Sequence, residues 1–340
     1  MTIGKRLTGI AALAVAGALM LGGCGAQTSS DGGSKDTVTI GVSVRATDSD
    51  FYVQWLQGLK DEAKRYNVTL NVKDANGDDS QQILDVESLT ATKPDALIVD
   101  HALEGVTPNA QQALDADIPV VGFDSVINDD RAIKVSQSDA ELAKLAVQPL
   151  LERTGGTAKV IYAYVAGFAP LDRRNAEWEQ VKKDNPGLEQ VAQVGVVNES
   201  TAAQTAEQTK AALQANPGVA AIFAPYDEFA KGAAQAVQEL GLSDAVKVYG
   251  VDISDADISV LTQDGSPWVS TATTDPSNDG AVTFRTAYLA AQKKTDSKEV
   301  VVPPSLVTAD ELRKQNITSV SGLISAFPDL RTDDISAIKG

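Results

Sequence analysis

The chain is poor in the side chains that most metal and redox chemistry uses: in 340 residues it has one cysteine, Cys24, and one histidine, His101. A single thiol excludes a disulfide within the monomer. A single imidazole excludes a His-rich metal centre and two separate His-dependent catalytic centres. The patterns GxxxxGKS/T, GxSxG and HExxH do not occur. The acidic runs NGDDS, INDDR and DISDAD lack the spacing and closing Glu of a calcium loop, and they read as turns and solvated helix starts. Cations are scarce too. There are 29 Lys and Arg against 46 Asp and Glu, a formal charge of −17, and no basic block beyond the first few residues. Binding nucleic acid needs clustered cations against phosphate, so nucleic acid is excluded as a partner. Aromatic residues make up 5% and apolar residues 43%, an ordinary soluble α/β composition. With ~150 residues per domain as a prior, this length suits two lobes rather than one core. A non-enzymatic chain without metal or cofactor is expected.

The first residues read as a targeting segment. Lys5 and Arg6 precede the apolar run Leu7–Leu21, which ends in LGGC with Cys24. The run is too short and too rich in small residues for a comfortable membrane span and suits a signal-peptide core. LGGC resembles a bacterial lipobox, which implies that residues 1–24 are a lipoprotein signal and that Cys24 is lipidated. A chance cysteine behind a cleaved secretory signal is the alternative. Two acyl chains would hold the protein firmly, on the outer face of the cytoplasmic membrane. The Gly/Ser-rich stretch 25–36 reads as a flexible tether.

From Thr37 onward, short β-branched runs alternate with amphipathic stretches. Strands are predicted at 38–44, 68–73, 96–100 and 119–123, and the pattern restarts at 158–165, 191–197, 219–224, 246–251 and 268–273. Between the first two, Phe51, Trp55, Leu59 and Ala63 fall four apart on one helical face, as a buried helix requires. Nearly continuous apolar strands separated by helices predict parallel sheets covered on both faces. Acids and polar residues recur just past the strand ends: Asp48, Asp100, Asp124, Asp227, Asp252 and Asp275, with Asn198 after the strand ending at Val197. In open α/β sheets that edge is where ligands bind. Each Asp could equally be a helix N-cap or turn residue. His101, next to Asp100, reads as a ligand contact or as a solvated loop histidine.

Several local stretches resemble the ribose-type sugar-binding proteins of bacterial ABC importers: SDFYVQWLQGLKDEA, ADIPVVGFDS, AIFAPYDEFAKGAAQAV and VKVYGVD. The resemblance covers essentially Val38 to Asp310. It implies the type I periplasmic binding protein fold, two doubly wound Rossmann-like lobes with parallel sheets, joined by a hinge of three crossings near Ser136–Gln137, Thr274–Asp275 and Ser305–Thr308. The first lobe would be 37–136 plus 275–305, the second 137–274 plus 306–340. It also implies that Phe51 and Tyr52 stack on the sugar and that Asp124 and Asp252 hold its hydroxyls. The sequence departs from the ribose pattern where Ser125 stands in place of Arg, Tyr226 in place of the Asn before Asp227, the stretch Asp48 to Asp50 in place of Asn-Asn-Pro, and Thr274 in place of Gln. Arg173 or Arg174 takes the position of the second-lobe arginine.

The resemblance implies a monomer that captures a small sugar or polyol between the lobes and passes it to ABC permease subunits. A cationic amino sugar or amine is an alternative ligand, since acids outnumber arginines around the expected cleft. Presentation of the solute to a receptor kinase is an alternative role. Asp124 and Asp252 are expected to reach the same solute only when the lobes close. Removing either is expected to weaken capture about tenfold to a hundredfold and to leave the unliganded stability nearly unchanged.

Overall fold

The computed structural model describes residues 37–338; Cys24, the signal segment and the tether lie outside them. The first lobe opens with β1 (Thr39–Val44), α1 (Asp50–Arg65), β2 (Thr69–Asp74), α2 (Asp79–Ala91), β3 (Ala96–Asp100), α3 (Thr107–Asp115), β4 (Val120–Phe123) and β5 (Ile133–Gln137). The chain then crosses to the second lobe, with α4 (Asp139–Thr154), β6 (Thr157–Ala163), α5 (Ala169–Asp184), β7 (Gly187–Val194), α6 (Thr201–Ala215), β8 (Val219–Ala224), α7 (Asp227–Glu239), β9 (Lys247–Val251), α8 (Asp255–Thr262) and β10 (Trp268–Thr273). It returns for α9 (Pro276–Ala291) and β11 (Glu299–Val302), and crosses again for β12 (Ser305–Thr308), α10 (Ala309–Lys314) and α11 (Val320–Ala326).

Each lobe is one six-stranded sheet, β11-β5-β4-β3-β1-β2 and β12-β10-β9-β8-β6-β7. The first is parallel throughout. The second is parallel except for β12, which runs antiparallel to β10 at the edge. The central strands β3 and β4 are buried at every position, which is why they read as unbroken apolar runs and not as alternating ones. Trp55, Trp178 and Trp268 are all fully buried.

The first-lobe helix that carries the aromatic pair is locked from behind. A Cβ on Gly58 of α1 would collide with the carbonyl oxygen of Ser277, and one on Gly280 of α9 with that of Trp55. Only paired glycines permit this approach of two backbones, and it ties α1 to the helix that begins at the second crossing.

Three strands escaped the sequence reading: β5, β11 and β12. They are short, they lie at or next to a sheet edge, β5 (IKVSQ) leaves alternate positions exposed or half-buried, and β11 (EVVV) buries only its last residue. β5 leads into the crossing at Gln137–Ser138, and β11 and β12 flank the one at Pro303–Pro304; the crossing at Thr274–Asp275 joins β10 to α9.

The assignment of all of 306–340 to the second lobe needs correction. Val320, Leu323 and Leu330 belong to the second lobe's core, but Ile335 and Ile338 pack on the first lobe's. Buried Arg285 of α9 donates to the carbonyls of Thr332 at 2.7 Å and Ile335 at 3.1 Å, and pairs with Glu62 of α1 at 2.8 Å. The described chain therefore crosses between lobes a fourth time, beside Asn278, which donates to the Leu330 carbonyl at 2.9 Å. Sequence periodicity could not reveal this, because the tail is held by its backbone carbonyls and not by an apolar stripe.

Candidate functional site

Three parallel strands end in the same unusual way. His101 after β3, Asp124 after β4 and Asp252 after β9 have φ of 46°, 46° and 72°. Asp, Asn and His tolerate this left-handed region better than other non-glycine residues. Each turn is pinned by the neighbouring strand: the N–H of His101 donates to Phe123 O at 2.8 Å, that of Asp124 to Val135 O at 3.0 Å, and that of Asp252 to Ala272 O at 2.9 Å. The left-handed residue reverses the side chain out of the strand pleat at the carboxyl edge of the sheet.

Between the two carboxyl edges lies a cavity of about 730 Å³, within the ordinary range for small-molecule sites. Of the sequence candidates, Asp48, Phe51, Tyr52, His101, Arg174, Asn198, Tyr226 and Asp252 border it. Phe51 and Tyr52 stand in the first turn of α1, their rings 6.1 Å apart and nearly perpendicular. Tyr226 caps the start of α7 and lies edge-on to Phe229 at 5.3 Å.

The other candidates are placed elsewhere, each for a physical reason. Asp100 is fully buried behind His101 and accepts from its Nδ1 at 2.6 Å. Ser125 turns inward: its hydroxyl donates to Val99 O at 2.9 Å and accepts from the Ala102 N–H at 2.9 Å, so it closes the loop and is not free for a ligand. Thr274 is fully buried, accepting from Gln137 Nε2 at 2.8 Å and donating to Asp279. Asp227 is fully buried, caps the Glu228 N–H at 2.8 Å and faces Asp257 below the cavity floor. Asp50 reaches across the cleft to Lys231 Nζ at 3.5 Å and Ser254 Oγ at 3.3 Å. Asp275 caps α9 through the N–H groups of Ser277 and Asn278, the turn role weighed for it.

Asp124 and the two arginines form one network across the hinge. Arg173 Nη2 donates to Asp124 Oδ1 at 2.6 Å and Arg173 Nε to Asp139 Oδ2 at 2.6 Å. Arg174 donates to Asp139 at 2.7 Å, to Asp252 at 2.8 Å and to Pro225 O at 2.8 Å, and also to Gln137 Oε1. Both arginines are therefore used, which resolves the register: Arg174 borders the cavity, and Arg173, whose side chain is 43% exposed, staples the lobes outside it.

The expectation that Asp124 and Asp252 both face solute is corrected accordingly. Asp252 borders the cavity but already carries an arginine, and Asp124 lies off the cavity under Arg173. Removing Asp252 would take one of two carboxylates from a buried guanidinium that keeps Asp139, so the unliganded stability depends on it. Burial, reinforced by nearby Asp139, outweighs His101 and the arginines and pushes the Asp124 carboxyl up to about 7.

The sequence reading missed several cavity residues. Arg45, just past β1 and only 8% exposed, donates to Asp79 at 3.0 Å, and its guanidinium lies 5.0 Å from the ring centre of Phe168 on the other lobe. Phe168 stands just before α5, after the first strand of its lobe, as Phe51 stands just after β1 in the other. That repeat was the available signal for it. Gln137 sits at the end of the unrecognised β5, and Leu171 in the first turn of α5. Among the described residues no group of three or more His, Cys, Asp or Glu is placed to hold a metal ion.

A family model for the periplasmic binding protein domain matches residues 40–295. A ribose import binding protein of Bacillus subtilis (strain 168) is 27% identical over 215 residues, 62% of this chain and 69% of the relative. A xylitol-binding protein of Mycolicibacterium smegmatis is 27% identical over 249 residues, 72% of this chain and 70% of the relative. Among solved structures, the 5-methylthioribose transporter solute binding protein from Thermotoga lettingae, in complex with 5-methylthioribose, superposes with a TM-score of 0.85 at 36% identity, covering 88% of this chain and 95% of that one.

Proposed function

This chain belongs to the periplasmic binding protein family, and we propose that it is the extracytoplasmic receptor of an ABC importer for a neutral, pentose-derived sugar or polyol carrying an apolar substituent. One observation carries the reading: a single interlobe cavity has aromatic rings, Phe51 and Tyr52, on one wall, and an arginine–aspartate pair, Arg174 and Asp252, on the other. Aromatic faces take the C–H side of a sugar, and a charged pair takes its hydroxyls by bonds worth roughly 1.5–3 kcal/mol each.

Phe168, Pro170, Leu171 and Val197 add an apolar end to the second-lobe wall, larger than a bare pentose needs. The relative that binds 5-methylthioribose supports this reading, as do the ribose and xylitol binders. A cationic solute is disfavoured because the least exposed carboxylates bordering the cavity, Asp252 and Glu228, already face Arg174 and Lys231. No bond is made or broken in this reading: the solute bridges two lobes, so it binds the closed form more tightly than the open one. Delivery to permease subunits and a lipid anchor at Cys24 complete the proposal; no helix among the described residues is long and apolar enough to cross a membrane.

The test is a thermal-shift screen of residues 26–340 against 5-methylthioribose, ribose, xylitol and simple amines. A solute at about a thousand times its Kd stabilises by roughly 4 kcal/mol, which raises Tm by roughly 2–4 °C per kcal/mol. The largest shift is expected for 5-methylthioribose. A shift by amines and none by sugars or polyols overturns the reading.

A further inference from the structure

The imidazole of His101 is held more tightly than a solute contact requires. Its backbone is left-handed at φ 46°, and its ring is boxed edge-on by Tyr52 at 4.9 Å and 84°, Phe51 at 5.9 Å and 83°, and Phe123 at 5.5 Å and 66°. Behind it stands Asp100, fully buried, with Oδ1 at 2.6 Å from Nδ1. The other oxygen of Asp100 faces the N–H of Arg45 at 3.4 Å, and its carbonyl accepts from Gln82 at 2.7 Å. The carboxylate is thus fixed in turn. A carboxylate on Nδ1 requires a proton there, which leaves Nε2 as the only ring atom that can change its bonding. The ring borders the cavity with its side chain 12% exposed, and no group among the described residues bonds Nε2.

We propose that His101 is a specificity-determining, proton-linked contact for the solute: Nδ1–H is committed to Asp100, and Nε2 takes up a proton to donate a charge-assisted hydrogen bond to a solute oxygen. Asp100 is its positioning residue. This rests on the reading of the cavity as a sugar or polyol site. The charged groups facing the imidazole are Asp100 from β3, Asp124 from the end of β4 and Arg45 from the end of β1, and the Tyr52 ring of α1 packs against it. Burial opposes the imidazolium and so does Arg45, but Asp100, by charge and hydrogen bond, and Asp124 outweigh them, so the ring holds its proton above the usual histidine range. Charge-assisted bonds are about twice as strong as neutral ones, so capture should be tighter on the acid side of the imidazole's titration and weaken as pH rises through it.

Because the chain has one histidine, its imidazole nitrogens can be followed by NMR without assignment. In the ligand-free protein the neutral ring is expected as the Nδ1–H tautomer, titrating above the free-histidine value, and Asp100→Asn is expected to lower that titration point. An Nε2–H tautomer overturns the proposal whatever the solute. On saturation with 5-methylthioribose the titration point should rise further, and calorimetry between pH 6 and 8.5 should show Kd increasing about tenfold per unit of that rise. His101→Gln should abolish the pH dependence. An unmoved titration point at saturation, or a Kd flat in pH, overturns the proposal. If neither 5-methylthioribose, ribose nor xylitol binds, the sugar reading and proton-linked capture fall together, while the ligand-free tautomer shows separately whether the imidazole is held as described.

Discussion

The two walls of the cleft are built on opposite plans. The first-lobe wall is aromatic: Phe51, Tyr52 and His101 lean on Phe123 and Trp55 of the core beneath, so their positions follow from packing within one lobe. Beside its apolar end the second-lobe wall has an ionic one: Arg174 and Asp252 are held by Asp139, Gln137 and the Pro225 carbonyl, and Gln137 ends β5 of the first lobe. The aromatic wall can exist without the other lobe, whereas the ionic wall is coupled to the hinge. Aromatic stacking in the first lobe and the hinge-coupled ion pair of the second can thus be separated by variants.

Arg174→Met should have the largest effect. It strands Asp252 in a buried site, and breaking a buried pair from one side costs about 3–5 kcal/mol; urea unfolding of the ligand-free protein measures it. A loss under about 1 kcal/mol would show that the ionic wall is not coupled to stability and would erase the contrast.

Asp124→Asn comes next. The folded-state carboxyl holds its proton up to about 7, whereas an unfolded Asp releases it near 3.9. Between these values the native state binds more protons than the unfolded one, so Asp124 makes stability fall as pH rises from about 4 to about 7, by up to about 1.4 kcal/mol per pH unit, and level off above. The Asn variant should lose that slope in unfolding curves taken across the window. An unchanged slope would place the carboxylate as an ordinary partner of Arg173.

The smallest effect is expected from ending the chain after Leu330. Buried Arg285 then loses two backbone acceptors but keeps Glu62, at a cost of about 1–3 kcal/mol. Small-angle scattering of the truncated, ligand-free protein should show a more open average form with the cavity residues intact. Scattering identical to the parent's would mean that the cleft walls alone hold the lobes.

Much of this was legible in local sequence. The central strands, the helix carrying Trp55 and Leu59, and the acids at strand ends follow from period and run length, because a parallel strand buried on both faces must be apolar until it leaves the sheet. Phe51 and Tyr52 were expected from the resemblance of SDFYVQWLQGLKDEA to the first helix of ribose-type binders, and both border the cavity. Ser125 and Thr274 were misread because position in chain does not say which way a side chain turns: one bonds its own loop, the other the hinge. Arg45 was passed over although it follows β1 in the same manner as the acids follow theirs.

The sequence by itself thus determined the alternation of central strands and helices and where along the chain a site would lie, since these depend on patterns a few residues long. Only the tertiary structure decided which strand-end residues meet solute and which meet each other. Asp252 differs from Asp124, and Arg174 from Arg173, not in chemistry but in what the fold places beside them: Asp252 meets Arg174 within the second lobe, and Asp124 meets Arg173 across the hinge. Those partners lie 78 residues apart for Arg174 and Asp252, and 49 apart for Arg173 and Asp124. At such separations an ion pair leaves no periodic trace: it forms because elements folded for their own apolar reasons bring charged residues together, within one lobe for Arg174 and Asp252 and across the hinge for Arg173 and Asp124.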